Sequence, residues 1–172
     1  MPRLILLRHA KSAWDDPALA DHDRPLNRRG RAAARLMAKP VAEAAPDLVL
    51  CSTARRTRET VEHMVDAGAF PAGRVVHDAA LYHAAPAAIL AVVGIHAAGH
   101  AAVMVVGHNP GLHELAASMA TAGDDRARTA LAAKFPTAAL AVLDLAGPGW
   151  RPGDARLTRF VTPRMLEAAA GQ

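Results

Sequence analysis

Arg3-Leu4-Ile5-Leu6-Leu7-Arg8-His9 places four consecutive apolar residues between two arginines and then stops in charge. The run is too short for a buried helix, and it is apolar at every position rather than at alternate ones. That pattern belongs to a strand covered on both faces, as in a parallel sheet. Working outward, Asp47–Cys51 and Ala101–Val106 repeat it, and Arg74–His77 reads as a shorter strand. Helical segments fall between them. Asn27–Ala44 has Asn27 as its N-cap and Pro40 to end or kink it. A second helix runs from a Ser52 or Thr53 cap to about Ala67. Ala85–Ala98 is a third, closed by Gly99, and Pro110 sits in the first turn of a fourth. Thr137–Leu145 and Asp154–Val161, around Gly147-Pro148-Gly149, read as a hairpin at a sheet edge. His9–Leu26 reads as a long functional loop, and Glu167–Gln172 is expected to fray. The alternation predicts an α/β fold, a three-layer α/β/α sandwich with a mostly parallel central sheet, in one domain over 1–172.

Composition narrows the function. Hydrophobic residues make up 52% of the 172-residue chain and charged ones 21%, a globular balance. Aromatics are only 3%, which argues against base-stacking platforms for single-stranded nucleic acid. Cys51 is the one cysteine, so a disulfide framework and a cysteine zinc site are both excluded within the chain. No apolar stretch reaches a membrane span; Ala84–Ala98 comes nearest and contains Pro86 and His96. A cytoplasmic location is the expectation. Lys and Arg total 20 against 16 Asp and Glu, and the arginines cluster at Arg24, Arg28, Arg29, Arg31 and Arg35 and at Arg55, Arg56 and Arg58. This suits an anionic partner, a phosphorylated ligand or nucleic acid, although solvated helix faces account for most of these arginines. No phosphate-cradling glycine loop is present, which disfavours a kinase or ATPase.

Ligands of parallel sheets bind beyond the carboxyl ends of the strands. Three strand ends carry polar clusters: Arg8-His9, Ser52 to Arg56, and Gly107-His108-Asn109. Together they supply arginines, two histidines, small polar residues and a helix start. Phosphoryl transfer needs this inventory: a guanidinium matches two phosphate oxygens, a neutral imidazole attacks phosphorus, and fixed positive charge stabilises the transition state. Neighbouring arginines are expected to depress the pKa of His9 and keep it nucleophilic near neutrality. His22 between Asp21 and Asp23 reads as part of a solvated loop rather than a metal site. Cys51 reads as inert packing, and Trp14 as either a cover for the pocket mouth or loop packing.

Four segments, in order along nearly the whole chain, resemble the histidine phosphatase (phosphoglycerate mutase-like) superfamily. Leu6 to Trp14 is similar to its Arg-His-Gly signature, with Ala10 where glycine is usual. Asp23-Arg24-Pro25-Leu26-Asn27-Arg28-Arg29-Gly30, Ser52 to Thr60 and Val106-Gly107-His108-Asn109-Pro110-Gly111 are similar to the later elements. The wording of the first and last points to the SixA-like phosphohistidine phosphatase branch. The resemblance implies His9 as the nucleophile that becomes phosphohistidine, with Arg8, Arg56 and His108 on the phosphoryl group. Ser12 and Asn109 are further candidate phosphate contacts. Ala10 is tolerable where its φ stays negative. Asp15 stands where the mutases carry Asn. No general acid is placed; Asp15, Asp16, Asp21, Asp23, Glu59, Tyr82 and His83 are candidates. A sugar alkoxide leaves poorly without a proton donor, whereas imidazole needs less help. The expected reaction is therefore two-step hydrolysis of a phosphohistidine, with no metal or organic cofactor, on a phosphohistidine-bearing protein. A small-molecule phosphomonoesterase and a non-catalytic anion-binding module are the alternatives.

Overall fold

Strand β1 (Arg3–Arg8) alternates its side chains between two apolar layers, and this organises the molecule. Leu4 and Leu6 join one buried cluster, while Ile5 and Leu7 join the other. The computed structural model describes residues 1–147 and 155–171. β1 is followed by a 3-10 turn (Asp21–Asp23), α1 (Arg28–Leu36), α2 (Ala38–Ala44), β2 (Leu48–Ser52), α3 (Arg55–Asp66), β3 (Val75–Asp78) and α4 (Pro86–His96). Next come β4 (Ala102–Gly107), α5 (Gly111–Met119), β5 (Ala120–Gly123), α6 (Asp125–Ala133), β6 (Leu140–Leu145), β7 (Ala155–Val161) and α7 (Pro163–Ala170).

The seven strands form one sheet in the order β3-β2-β4-β1-β6-β7-β5. Every pairing is parallel except those of β6, which runs against both β1 and β7. The sheet is thus mostly parallel, and the expected α/β sandwich is the observed one. Ile89 and Val93 of α4, Leu112 and Leu115 of α5 and Leu131 of α6 pack on one face. Ala34 of α1, Val41 of α2 and Val61 and Met64 of α3 pack on the other. Each fully buried Leu, Ile or Val side chain contributes roughly 1.5–3 kcal/mol.

Several sequence expectations are corrected. The Asn27–Ala44 helix is two helices. Asn27 does cap α1, its side chain accepting from the Gly30 amide at 2.8 Å. The break falls at Met37, and Pro40 lies inside the first turn of α2. In one continuous helix Pro40 would have to donate to the Leu36 carbonyl, and it has no N–H to do so. Neither Ser52 nor Thr53 caps α3; the cap is Ala54, without a side-chain bond. The β6–β7 pair is not at the sheet edge, because β5, a strand with no sequence signal, pairs outside β7. Pro148 and Gly149 of the expected turn lie outside the described residues. Glu167 to Ala170 form the last turn of α7, whose cap Thr162 accepts from the Met165 amide.

Strand register gathers the three polar clusters. Arg8 is level with Gly107, and Cys51 with Val106. The carboxyl ends of β1, β2 and β4 therefore finish at one height and deliver their next residues to one place.

Candidate active site

His9 leaves β1 with its amide still paired to the sheet, donating to the Gly107 carbonyl at 3.1 Å. Its side chain is buried, and Nδ1 lies 2.7 Å from the Ala10 carbonyl oxygen. A carbonyl only accepts, so Nδ1 carries the proton and Nε2 keeps the lone pair. The Ala10 amide donates to Thr60 Oγ1 at 3.0 Å, and that hydroxyl donates to the Arg56 carbonyl at 2.6 Å. Thr60 thus fixes the loop after His9 to the helix carrying Arg56. Ala10 is not among the non-glycine residues with positive φ, so its methyl is accommodated.

His108, after β4, is almost fully buried, and its ring centroid is 5.3 Å from that of His9. Arg56 Nη2 lies 3.3 Å from its Nδ1, and a guanidinium only donates. Nε2 therefore carries the proton and donates to Ser52 Oγ at 2.8 Å. Ser52 is the last residue of β2, three positions before α3 begins, and its Oγ also accepts from the Ala54 amide at 3.4 Å. The Leu112 amide at the start of α5 folds back to the His108 carbonyl at 3.1 Å rather than standing free for an anion.

Burial is the largest cause that pushes the His9 pKa down to about 3, with Arg56, Arg8 and Arg24 adding to it against the Ala10 carbonyl. The expected direction holds, but desolvation outweighs the arginines. Burial, then the neighbouring His9 and Arg56, push His108 down to about 2. Both imidazoles are neutral at physiological pH.

Arg8 Nη1 donates to the Phe135 carbonyl at 3.1 Å, while its buried Nε has no partner among the described residues. Asn109 Nδ2 donates to the same carbonyl at 2.9 Å, and its Oδ1 is also unpartnered. Ser12 Oγ accepts from Arg24 Nη2. Arg8, His9, Ser12, Arg56, His108 and Asn109 all line one cavity of about 450 Å³. The structure thus brings together all six residues singled out from sequence.

Of the further wall residues, Arg24 was not read as one from the sequence. Arg24 is not on a solvated face: it is 7% exposed, donates to the Ala13 carbonyl and to Asp21, and stacks 3.1 Å over the Trp14 ring. The Asp-Arg-Pro-Leu element was the signal that could have found it. Trp14 is 77% exposed and lines the cavity, so of its two readings the mouth position is the observed one. Asp21 spans the rim. Its carboxylate accepts from Arg24 at 2.9 Å, Arg56 at 3.0 Å and Tyr82 at 2.6 Å, and lies 3.1 Å from His83 Nε2. Tyr82, then His83 and Arg56, hold its pKa well below the usual carboxylate range against the effect of burial.

Of the other acid candidates, Tyr82 and His83 stand at the site with Asp21, their rings 5.4 and 4.9 Å from that of His108, while the remaining carboxylates stand apart. Glu59 accepts from the Leu26 amide and Arg55, and Asp15 and Asp16 line a separate cavity. Asp23 reaches only His22. His22 also lies 3.1 Å from Thr53 Oγ1. Burial raises the Cys51 thiol to about 12. Among the described residues, no helix is long and apolar enough to cross a membrane.

Comparison with known proteins gives one answer. The sequence profile of the histidine phosphatase superfamily (branch 1) matches residues 4–82. The uncharacterized protein Rv1276c of Mycobacterium tuberculosis is 40% identical over 166 residues, covering 92% of this chain and all of that protein. The solved structure of a candidate phosphohistidine phosphatase SixA from Agrobacterium tumefaciens is 35% identical. It aligns with a TM-score of 0.77 over 94% of this chain and 99% of its own. Its counterpart from Nakamurella multipartitia is 30% identical, with a TM-score of 0.78 over 94% and 96%.

Proposed function

Because this chain belongs to the histidine phosphatase superfamily, in its SixA-like branch, and is a phosphatase, we propose that it dephosphorylates phosphohistidine through a covalent intermediate on His9. The observation that carries the reading is the fixed tautomer of His9. Nδ1–H is tied to the Ala10 carbonyl, leaving a neutral, lone-pair-bearing Nε2 in a cavity lined by Arg8, Arg24 and Arg56.

In the first step Nε2 of His9 attacks phosphorus and the P–N bond to the substrate imidazole breaks. A substrate ring protonated on its other nitrogen leaves as neutral imidazole, so no proton need come from the enzyme. The phosphorylated His9 is then an imidazolium, and the Ala10 carbonyl faces the nitrogen sharing that charge. In the second step water attacks phosphorus on the opposite side to Nε2. The P–N bond breaks, His9 returns neutral with Nδ1 still protonated, and the surplus water proton passes to solvent with inorganic phosphate. Arg8 supports the transferring oxygens with its unpartnered Nε, and Arg56 with donors it exchanges from Asp21. His108 acts on Arg56 through Nδ1; contact with a phosphoryl oxygen requires that bond to be released and Nδ1 to take up a proton.

Asp21 supports the choice of substrate. Among the candidate carboxylic acids it alone lines the cavity, and it is held ionised. A carboxylate in that state is a poor proton donor to an alkoxide, so a sugar phosphate would have to draw its proton from His83 or Tyr82, whereas a phosphoramidate needs none from the enzyme.

The test compares a phosphohistidine-bearing protein with a panel of small phosphate esters, chelator present, for wild type and His9→Ala. Phosphohistidine should be hydrolysed faster, and the substitution should abolish it. Hydrolysis of esters alone would assign a phosphomonoesterase, and activity surviving His9→Ala would remove the intermediate.

A further inference from the structure

Beside the active-site cavity lies a second one of about 460 Å³, walled by α1, α7 and the segment after α6. Lys11, Lys134, Pro136 and Thr137 line both, so the two form one continuous trough. Four cations stand along the second cavity: Lys11, Arg29, Lys134 and Arg164, all exposed. Among the described residues none of the four has a carboxylate partner. Among its described lining residues the second cavity has a single carboxylate, Glu167. Its walls between the charges are apolar, with Leu36 37% exposed there.

Unpaired cations on four separate segments do not make a clamp for one phosphate group. They make a positive field spread along a trough, which suits an occupant carrying several negative charges and some apolar surface. An active site opening into such a trough orders a substrate in two parts, the phosphoryl group in the first cavity and its flanking chain in the second. Resting on the phosphohistidine reading above, we propose that the second cavity is a docking subsite for an acidic segment flanking the phosphohistidine of a protein substrate. The site thus selects its protein by charge as well as by its phosphoryl group.

Binding is tested apart from catalysis with a short, unphosphorylated, fluorescein-labelled peptide rich in Asp and Glu, followed by anisotropy. The wild-type chain should bind it in a salt-sensitive manner. Arg29→Glu/Arg164→Glu, which alters no active-site wall, should weaken binding about tenfold. Inorganic phosphate at a level that inhibits hydrolysis should leave the peptide bound. In the catalytic arm, kcat/KM for phosphohistidine peptides should favour acidic flanks over neutral ones. The double variant should lose that preference while hydrolysing free phosphohistidine at the wild-type rate, which also shows that it folds. Equal binding of acidic and neutral peptides overturns the subsite, as does an unchanged affinity in the double variant. Binding of an RNA oligonucleotide without the acidic peptide overturns it as well. Failure to hydrolyse free phosphohistidine would sink the parent reading instead, and the anisotropy result would still decide the subsite.

Discussion

Replacing His9 with Asn should make the fold less sensitive to acid. The folded state holds this imidazole neutral, its pKa pushed down to about 3, while in the unfolded chain it titrates near 6.5. A folded-state pKa below the unfolded one means that the unfolded chain binds the extra proton first. The associated stability is complete above about pH 6.5 and is lost as pH falls toward 3. Between pH 7 and pH 5 this one group costs about 2 kcal/mol of unfolding free energy. His108, pushed down to about 2, adds a loss of the same sign that remains in the variant. Asparagine keeps a donor for the Ala10 carbonyl, so the comparison isolates the titration. Urea denaturation at the two pH values, in a buffer without phosphate, measures it. The wild-type loss should exceed that of His9→Asn by about 2 kcal/mol with m unchanged. Parallel losses would refute the reasoning, since they would mean that the imidazole is ionised or solvated in the native state.

Gly30→Ala should destabilise although alanine favours helix by about 1 kcal/mol, because a Cβ there would lie 2.1 Å from the Lys11 carbonyl oxygen. The cost should be roughly 1–3 kcal/mol, with a lower kcat as the backbone beside His9 shifts; an unchanged Tm would contradict it. Asp21→Asn removes the ionised acceptor shared by Arg24, Arg56 and Tyr82. Discounted for the partial exposure of that carboxylate, the loss should be about 1 kcal/mol, a Tm lower by about 2–4 °C in calorimetry. Cys51, fully buried with its thiol raised to about 12, should resist iodoacetamide in the native protein and react at the rate of global unfolding; rapid native labelling would count against its burial.

The central strands and the six site candidates were legible because their signals are local. β1, β2 and β4 are unbroken apolar runs, and parallel strands direct the residues after them to one edge. What the sequence hid depends on distant partners. Ala120-Thr121-Ala122-Gly123 has no apolar run of strand length, and it becomes β5 only because β7 offers an open edge. The cap of α3 was misread because β2 runs on through Ser52, held beside β3 and bonded to His108 more than fifty residues away, so the helix begins only after Ala54. Arg24 read as one more surface arginine in a cluster, yet the loop from His9 to Leu26 folds over it and buries it against Ser12 and Asp21. The Phe135 carbonyl that holds Arg8 and Asn109 is a backbone atom, and no side-chain pattern announces it.

β1 lies between β4 and β6, so neither of its neighbours in the sheet exists when it leaves the ribosome. Its apolar residues must wait, exposed or sheltered by a chaperone, until the chain has grown past residue 140. Such distant pairings are slow to form and leave the nascent strand open to aggregation. His9 is therefore synthesised early and enclosed late. A chain halted soon after residue 82 would carry the histidine proposed to attack phosphorus, but neither His108 beside it nor the carbonyl that steadies Arg8. Premature arrest of translation should thus leave an insoluble fragment without activity rather than a weak enzyme.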